Sequence, residues 1–392
     1  MLEWRFAPTI RLMKSERVII VGAGIVGLAH AWSAAERGHQ VTVLDRSRVA
    51  SGASIRNFGM IWPMGQPEES RSIAMKSRER WLQLAEQSSI WVNPCGSIHL
   101  AHRVDEWNVL REFYETSGEE LRSHLKLLEF DECLSLSPGI QPNGLLGGMW
   151  SDMELCVNPA RAVRELPHWL SQKYGISFSF ECAVSEFRAG KLRTSRGAAY
   201  EYDRAILCSG DDFETLYPEI YHSIPIRKCK LQMFRTVSQP ASWRIGPHLA
   251  SGLTLRHYST FKHCRHLKTL VDRIANETPE LERYGIHVMA SQDDLGRVVL
   301  GDSHLYDEEI EPFDSVEINR IILRELQKII RLPDWTMESF WNGTYAKYAS
   351  DISFQYSPEP NIHICTGLGG SGMTLSFGLA ERNWDRWTKG IE

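Results

Sequence analysis

Residues 17–45 read RVIIVGAGIVGLAHAWSAAERGHQVTVLD, and the fold turns on them. Arg17–Val21 is a short apolar run that stops at the turn Gly22-Ala23-Gly24-Ile25-Val26-Gly27. Beyond it the apolar spacing becomes helical as far as Arg37, and Gly38 suits the position after a helix end. HQVTVLD then reads as a second strand closing on Asp45. Each glycine has a task. Gly22 permits the tight turn, Gly24 lets backbone approach a pyrophosphate, and Gly27 lets helix and strand pack closely. The helix start at Ile25 and Val26 offers free N–H groups and a positive dipole end to phosphates. Asp45 lies 18 residues past Gly27, where a carboxylate accepts from an adenosine ribose. Strand, glycines, helix, strand and acid fall in the order of a dinucleotide-binding α/β unit. The signature does not separate NAD from FAD. Arg46 is open to three readings: a 2′-phosphate partner, a flank of the adenine, or a solvent-facing side chain.

The stretch that follows, SGASIRNFGMIWPMGQP (51–67), is not the next strand and helix of such a unit. Small residues, an Arg-Asn pair, glycines and a proline-broken apolar run predict a polar, glycine-rich loop. Further on, 68–88 and 105–118 read as helices and 95–103 as a strand. The Asn-Pro start and apolar period of 157–175 predict another helix, with Pro167 marking a kink. Residues 176–195 read as a hairpin-like pair and 202–210 as a buried strand ending on Ser209-Gly210. Between 225 and 305 four strands are expected: KCKLQMFRTV, SGLTLRHYSTF, IHVMASQ and RVVLGDSH. A helix follows at 315–331. The chain closes on NIHICTGLGGSGMTLSFGLAERNW, again strand, glycine cluster and helix. A flavin uses a second such cluster more readily than a nicotinamide does, because its ring lies far from the first helix. A second helix start near the flavin N1–C2=O edge would stabilise the charge of the reduced ring.

A chain of 392 residues is long enough for two domains and a sizeable core. Its net charge of −5 gives no overall pull toward nucleic acid or anionic membrane, so any anion site must be local. No apolar run reaches the ~18 residues of a membrane span. MLEWRFAPTIRLMKSE lacks a continuous apolar core, so residues 1–15 read as a leader rather than a signal peptide, which places the protein in the cytoplasm. The cysteines are scattered without a CxxC pair, which favours buried thiols over disulfides or zinc. His263, Cys264 and His266 match no common metal spacing, and no metal is expected.

With these pieces in order, the chain resembles the FAD-dependent oxidoreductases of the D-amino-acid oxidase/glycine oxidase/sarcosine oxidase superfamily over residues 17–385. The resemblance rests on VIIVGAGIVGLAHAWSAAERGHQVTVLDR, SGASIRNFG, YDRAILCSG and ICTGLGGSGMT. SIRNFGMIWPMGQ, CKLQMFRT, SGLTLRHYSTF, VVLGDSH and GLGGSGMTLSFGLAE look closest to a subgroup associated with aminophosphonate catabolism. The resemblance implies a Rossmann-like FAD-binding domain (16–90, 151–222 and 336–392) with a β-rich substrate domain (91–150 and 223–335). It implies that the 51–67 loop wraps the FAD and crosses its ring. Ala53 and Ser54 would admit close backbone, Arg56 and Asn57 would donate to phosphate or flavin, and Phe58 and Gly59 would pass the ring. Val184, Ser209 and Gly210 would also touch the cofactor, as would Gly367, Gly369, Gly370, Ser371, Gly372, Met373 and Thr374. Met60, Trp62 and Met64 would form apolar wall toward the substrate.

Such an enzyme moves a hydride equivalent from the carbon beside an amine to flavin N5, leaving an imine that water hydrolyses to an aldehyde. Oxygen or another acceptor then reoxidises the flavin. The amine must be neutral, and an apolar wall favours that by desolvation without a dedicated catalytic base. Amino-acid-oxidising relatives hold a carboxylate with an Arg near the final glycines; WNGTYAKYAS (341–350) has Tyr345 and Lys347 instead. No Cys stands there either, so the FAD is expected to be noncovalent. LRHYSTFKHCRHLKTL (255–270) is a local basic patch with Arg256, Lys262, Arg265 and Lys268 and no acid. If SGLTLRHY is a strand, Arg256 and Tyr258 share one face and His257 takes the other. Either set could meet a phosphonate. Lys262–Lys268 also read as a solvated helix start. His287 and Gln292, with Asp302 and His304, are further pocket candidates, each equally open to a role within the fold. The expected substrate is a primary or secondary amine with an anionic tail, such as an N-alkylated or hydroxylated 2-aminoethylphosphonate. The alternatives are a glycine- or sarcosine-like substrate, or a non-catalytic flavin-binding assembly protein.

Overall fold

A computed structural model describes residues 15–188, 190–307 and 310–390, so the expected leader lies outside the described residues except for Ser15. The opening strand, Arg17–Val21, sits inside a six-stranded sheet. From one edge the order is Phe354–Glu359, Ile362–Thr366, Arg204–Leu207, Arg17–Val21, Gln40–Leu44 and Ser177–Ser179. Neighbours run parallel except for the antiparallel edge strand Phe354–Glu359. A sheet covered on both faces needs apolar side chains in both directions, and the strand supplies them. Val18 and Ile20 face the helices, whereas Ile19 faces a small antiparallel sheet of Val184–Arg188, Lys191–Thr194 and Ala199–Glu201.

Helices Ile25–Glu36, Glu68–Gln87, Pro159–Tyr174 and Gly372–Thr388 contribute to the core on the first of these faces. Asn158 caps the third by accepting from the Arg161 N–H, and left-handed Gly175 ends it. A Cβ on Gly378 would lie 2.0 Å from the Ile73 carbonyl oxygen, so the C-terminal helix and Glu68–Gln87 pack backbone to backbone. Trp32, Trp81 and Trp384 are fully buried here. Each removes about 150–250 Å² from water, worth about 4–6 kcal/mol.

The second body is a nine-stranded, mainly antiparallel sheet. Its main path runs Leu305–Asp307, Ile226–Ser238, Arg297–Gly301, Met289–Gln292, His248–Ala250, Ser97–Ala101, Gly147–Ser151 and Leu125–Leu128. Met337–Tyr348 joins by pairing with Ile226–Ser238 from Tyr348↔Ile226 to Ser339↔Arg235. This corrects the expected boundary at 336: the strand carrying Tyr345 and Lys347 is hydrogen-bonded into the second sheet.

The expected strand SGLTLRHYSTF is also corrected. Gly252–Arg256 and Ser259–Phe261 are 3₁₀ turns. Thr254 folds onto Ser251, whose carbonyl accepts from both the Thr254 N–H (3.0 Å) and Oγ1 (2.6 Å), a local bond that competes with a ladder. No described helix is long and apolar enough to cross a membrane. The eight cysteines are free thiols.

Candidate active site

One continuous cavity of about 980 Å³ reaches from the first glycine turn, past the start of the C-terminal helix, to the face of the nine-stranded sheet. At one end lie Gly22, Gly24, Ile25 and Val26, with Asp45 and Arg46 beyond them. Gly22 has φ +105, and a Cβ there would lie 2.3 Å from the Cys208 carbonyl oxygen. Only glycine fits such a turn. Gly27 stays behind the wall: its Cβ would lie 1.9 Å from the Gly22 carbonyl oxygen, so it sets helix-to-turn packing rather than touching a ligand. Gly24 caps Ile25–Glu36 with no side chain of its own, and the Ile25 N–H donates to Ser54 Oγ at 3.0 Å. The carboxylate of Asp45 accepts from the Ala23 and Ser47 N–H groups at 2.6 and 2.7 Å, which holds it at the strand end beside the turn. Arg46 pairs with Asp212.

Ala53, Ser54, Arg56, Asn57 and Phe58 also line the cavity, but the donors of Asn57 are spent within the loop. Its Nδ2 donates to the Ala53 and Ser54 carbonyls at 3.0 Å each, and its Oδ1 accepts from the Gly59 N–H at 2.8 Å. Asn57 is a clamp. Gly59 (φ +73) lies off the cavity against the Val157 carbonyl. Arg56 Nη1 donates to the Asn342 carbonyl at 3.2 Å. Val184, Ser209 and Gly210 close this side.

From the opposite wall come Gly367, Gly369, Gly370, Ser371, Gly372, Met373 and Thr374. A Cβ on Gly372 would stand 3.8 Å from Ile25 Cγ2, so the two helix starts are neighbours. Thr374 Oγ1 accepts from the Trp62 N–H at 2.9 Å and pins the loop to the C-terminal helix. Two positive helix ends and a run of glycines without side chains form a cradle that suits a long dinucleotide with two phosphates.

At the far end Met60 and Trp62 give apolar wall, and Trp62 stacks on Tyr258 at 6.1 Å. Met64 is fully buried away from the lumen. Arg256, His257 and Tyr258 all line the cavity, because a 3₁₀ turn does not alternate faces as a strand does. Arg256 donates through Nη2 to the Leu281 and Ile286 carbonyls at 2.9 and 2.7 Å, and its Nε–H has no partner. Lys347 meets no described carboxylate at ion-pair distance. Burial, then Lys262, pushes its ammonium below the usual range. Lys262 also reaches the cavity, whereas Lys268 pairs with Asp272. The Arg265 N–H donates to Glu112, and His263 faces Thr116. Gln292 is corrected: its Oε1 accepts from the Ile245 N–H and its Nε2 donates to the Gly296 carbonyl, both at 2.9 Å, so it braces the sheet.

His257, His287 and His304 converge, with ring centroids 4.0, 4.4 and 4.7 Å apart. They come from three different segments. Asp302 lies beside them, 3.6 Å from His287 Nε2 and 3.9 Å from His304 Nε2. Burial pushes His304 down to about 4, and His287 well below the ordinary imidazole range. It pushes the Asp302 carboxyl well above the usual carboxylate range. Both ring nitrogens of His287, Nδ1 of His304 and Oδ1 of Asp302 are buried without hydrogen-bond partners. Each such group costs about 1–3 kcal/mol. His263, Cys264 and His266, weighed as a metal set from the sequence, do not form this cluster.

Tyr345 lines the cavity beside Tyr306 and Cys229. Tyr306, Met289, Leu231, Met233 and Asp211 line it too and were missed. The apolar alternation of the Ile226–Ser238 strand was the available signal for Leu231 and Met233. Nothing in the local sequence marks the others.

Residues 17–382 match the family model described as FAD dependent oxidoreductase. The fold is similar to glycine oxidase from Bacillus cereus ATCC 14579, with TM-score 0.76, 17% identity and 96% of each chain covered. It is also similar to iminodiacetate oxidase from Chelativorans sp. BNC1, with TM-score 0.71, 16% identity and 96% of each chain covered. An opine oxidase chain of Rhizobium meliloti is 25% identical over 232 residues, which are 55% of this chain and 62% of that protein. The chain thus matches less than two thirds of that relative's length.

Proposed function

We propose, from the premise that this chain belongs to the family of FAD-dependent oxidoreductases, that it oxidises a primary or secondary amine carrying an anionic tail, and that the tail is a phosphonate. The observation that carries the reading is the charge at the far end of the cavity. Arg256, Lys347 and Lys262 all line the cavity with no described carboxylate at ion-pair distance, Lys262 acts on Lys347, and the carboxyl of Asp302, which lines the cavity too, is held toward its neutral form by burial. A doubly charged tail with three oxygens balances such a set better than the single charge of a carboxylate. An N-alkylated or hydroxylated 2-aminoethylphosphonate has that tail and an amine two carbons away.

The cradle residues fit FAD. Gly24, Ile25 and Val26 would receive the pyrophosphate, Asp45 the ribose, and Gly369–Thr374 the ring edge. The cofactor part then comprises 16–90, 151–222 and the chain beyond Tyr348, with the FAD held noncovalently. When bound, FAD supplies a two-electron acceptor for a hydride equivalent from the carbon beside the nitrogen. The rest falls to the protein. Met60, Trp62 and Met289 desolvate the amine and so favour its neutral form. Arg256 and Lys347 hold the tail and thereby fix the distance of the reacting carbon. Water then hydrolyses the imine product to an aldehyde and the released amine or ammonia.

Steady-state comparison of N-methyl-2-aminoethylphosphonate with sarcosine tests the reading. The phosphonate is expected to have the higher kcat/KM by tenfold or more. A preference for sarcosine would move the chain to small amino acids, and oxidation of neither would leave a flavin-binding assembly role.

A further inference from the structure

The geometry points to a mononuclear metal site at His257, His287, His304 and Asp302, one that holds a divalent transition ion such as Zn²⁺. One nitrogen from each ring lies within 4.8 Å of the others. A tetrahedral ion with nitrogen bonds of about 2.0–2.1 Å needs its ligands about 3.4 Å apart, so small side-chain turns close the set. Asp302 stands beside two of the three rings as a further donor. Nε2 of His287 is 3.6 Å from Asp302 Oδ1 and Nε2 of His304 is 3.9 Å from Oδ2, so both rings turn the same edge to one carboxylate.

The second observation is independent of spacing. His287 and Asp302 are buried, and both nitrogens of His287 and Oδ1 of Asp302 have no hydrogen-bond partner. Native interiors rarely leave such polar atoms unpaired at one point, and an ion would satisfy one nitrogen of His287 and Oδ1 of Asp302 together. Imidazole with one carboxylate is a donor set for zinc-like ions rather than for calcium or magnesium. His257 is reached by solvent from the cavity, so the ion would meet the lumen there and could take an oxygen from a substrate tail. This last step rests on the phosphonate reading; the ion site does not.

The test uses the flavoprotein stripped with a chelator and titrated with CoCl₂. Cobalt d–d bands are read at wavelengths beyond the flavin absorption. One equivalent with tetrahedral intensity is expected, and His257→Ala, whose ring borders the lumen, should weaken binding tenfold or more, as should Asp302→Asn. Substoichiometric cobalt, or equal binding by wild type and His257→Ala, would overturn the site. Adding N-methyl-2-aminoethylphosphonate should shift the bands. If cobalt binds in full but the bands ignore the phosphonate, the site stands and tail coordination is refuted. Phosphonate oxidation without any cobalt binding would overturn the metal site and leave the proposed function intact.

Discussion

Replacing Gly27 with alanine is the sharpest probe of the cofactor cradle, because the residue touches no ligand. The new Cβ would lie 1.9 Å from the Gly22 carbonyl oxygen and 3.1 Å from Ile20 Cγ2, while ordinary contact begins near 3.4 Å. The nearer neighbour is backbone and cannot rotate away, so turn and helix start must separate by roughly 1.5 Å, the difference between 3.4 and 1.9 Å. An N–H···O contact of about 2.9 Å would open to about 4.4 Å and cease to be a hydrogen bond. Each charge-assisted bond to phosphate is worth about 1.5–3 kcal/mol. Losing two therefore costs at least about 3 kcal/mol, or roughly a hundredfold in Kd for FAD. The assay is quenching of FAD fluorescence on titration into apoprotein, with Gly118→Ala as control. At Gly118 a Cβ meets nothing within 4 Å, so FAD binding should be unchanged. A Gly27→Ala protein that binds FAD within threefold of wild type would refute the reasoning.

Lys347→Met removes an ammonium with no described ion-pair partner, so KM for the phosphonate should rise tenfold or more while the flavin spectrum stays unchanged; an unaltered KM would remove Lys347 from the anion site. Asn57→Ala deletes three loop bonds of 2.8–3.0 Å. It should cost about 1–3 kcal/mol, seen as a lower Tm and weaker FAD retention. Gln292→Ala should lower Tm without moving KM beyond twofold, since both its bonds brace backbone; a large KM change would restore it to the pocket.

The nucleotide unit was legible because strand, glycine turn, helix, strand and acid follow one another along the chain. Gly27 answers to Gly22 and Ile20 close by, although Gly22 meets the distant Cys208 carbonyl and Gly24 the Ser54 hydroxyl, and the alternation of Val18, Ile19 and Ile20 reports a sheet buried on both faces. The second glycine cluster was legible because it too stands between a strand and a helix in sequence order. SGLTLRHYSTF misled because eleven residues of mixed polarity satisfy a period of two by chance, and the Thr254-to-Ser251 bonds that decide the 3₁₀ turn are not a pattern of hydrophobicity. His257, His287 and His304 were each pocket candidates in the sequence, but their convergence was out of reach. The three are separated by 30 and 17 residues, and only the return of Arg297–Gly301 beside Met289–Gln292 brings His287 and His304 to one point. Gln292 shows the opposite error, since a polar residue on a strand near the pocket turned inward to satisfy backbone.

Anaerobic titration of the purified yellow protein with N-methyl-2-aminoethylphosphonate tests the central claim most directly, that one cavity seats FAD and an amine with a phosphonate tail. Stoichiometric loss of the flavin absorbance, matched by one aldehyde per FAD, is expected. A flavin that stays oxidised with the phosphonate yet bleaches with sarcosine would contradict the claim.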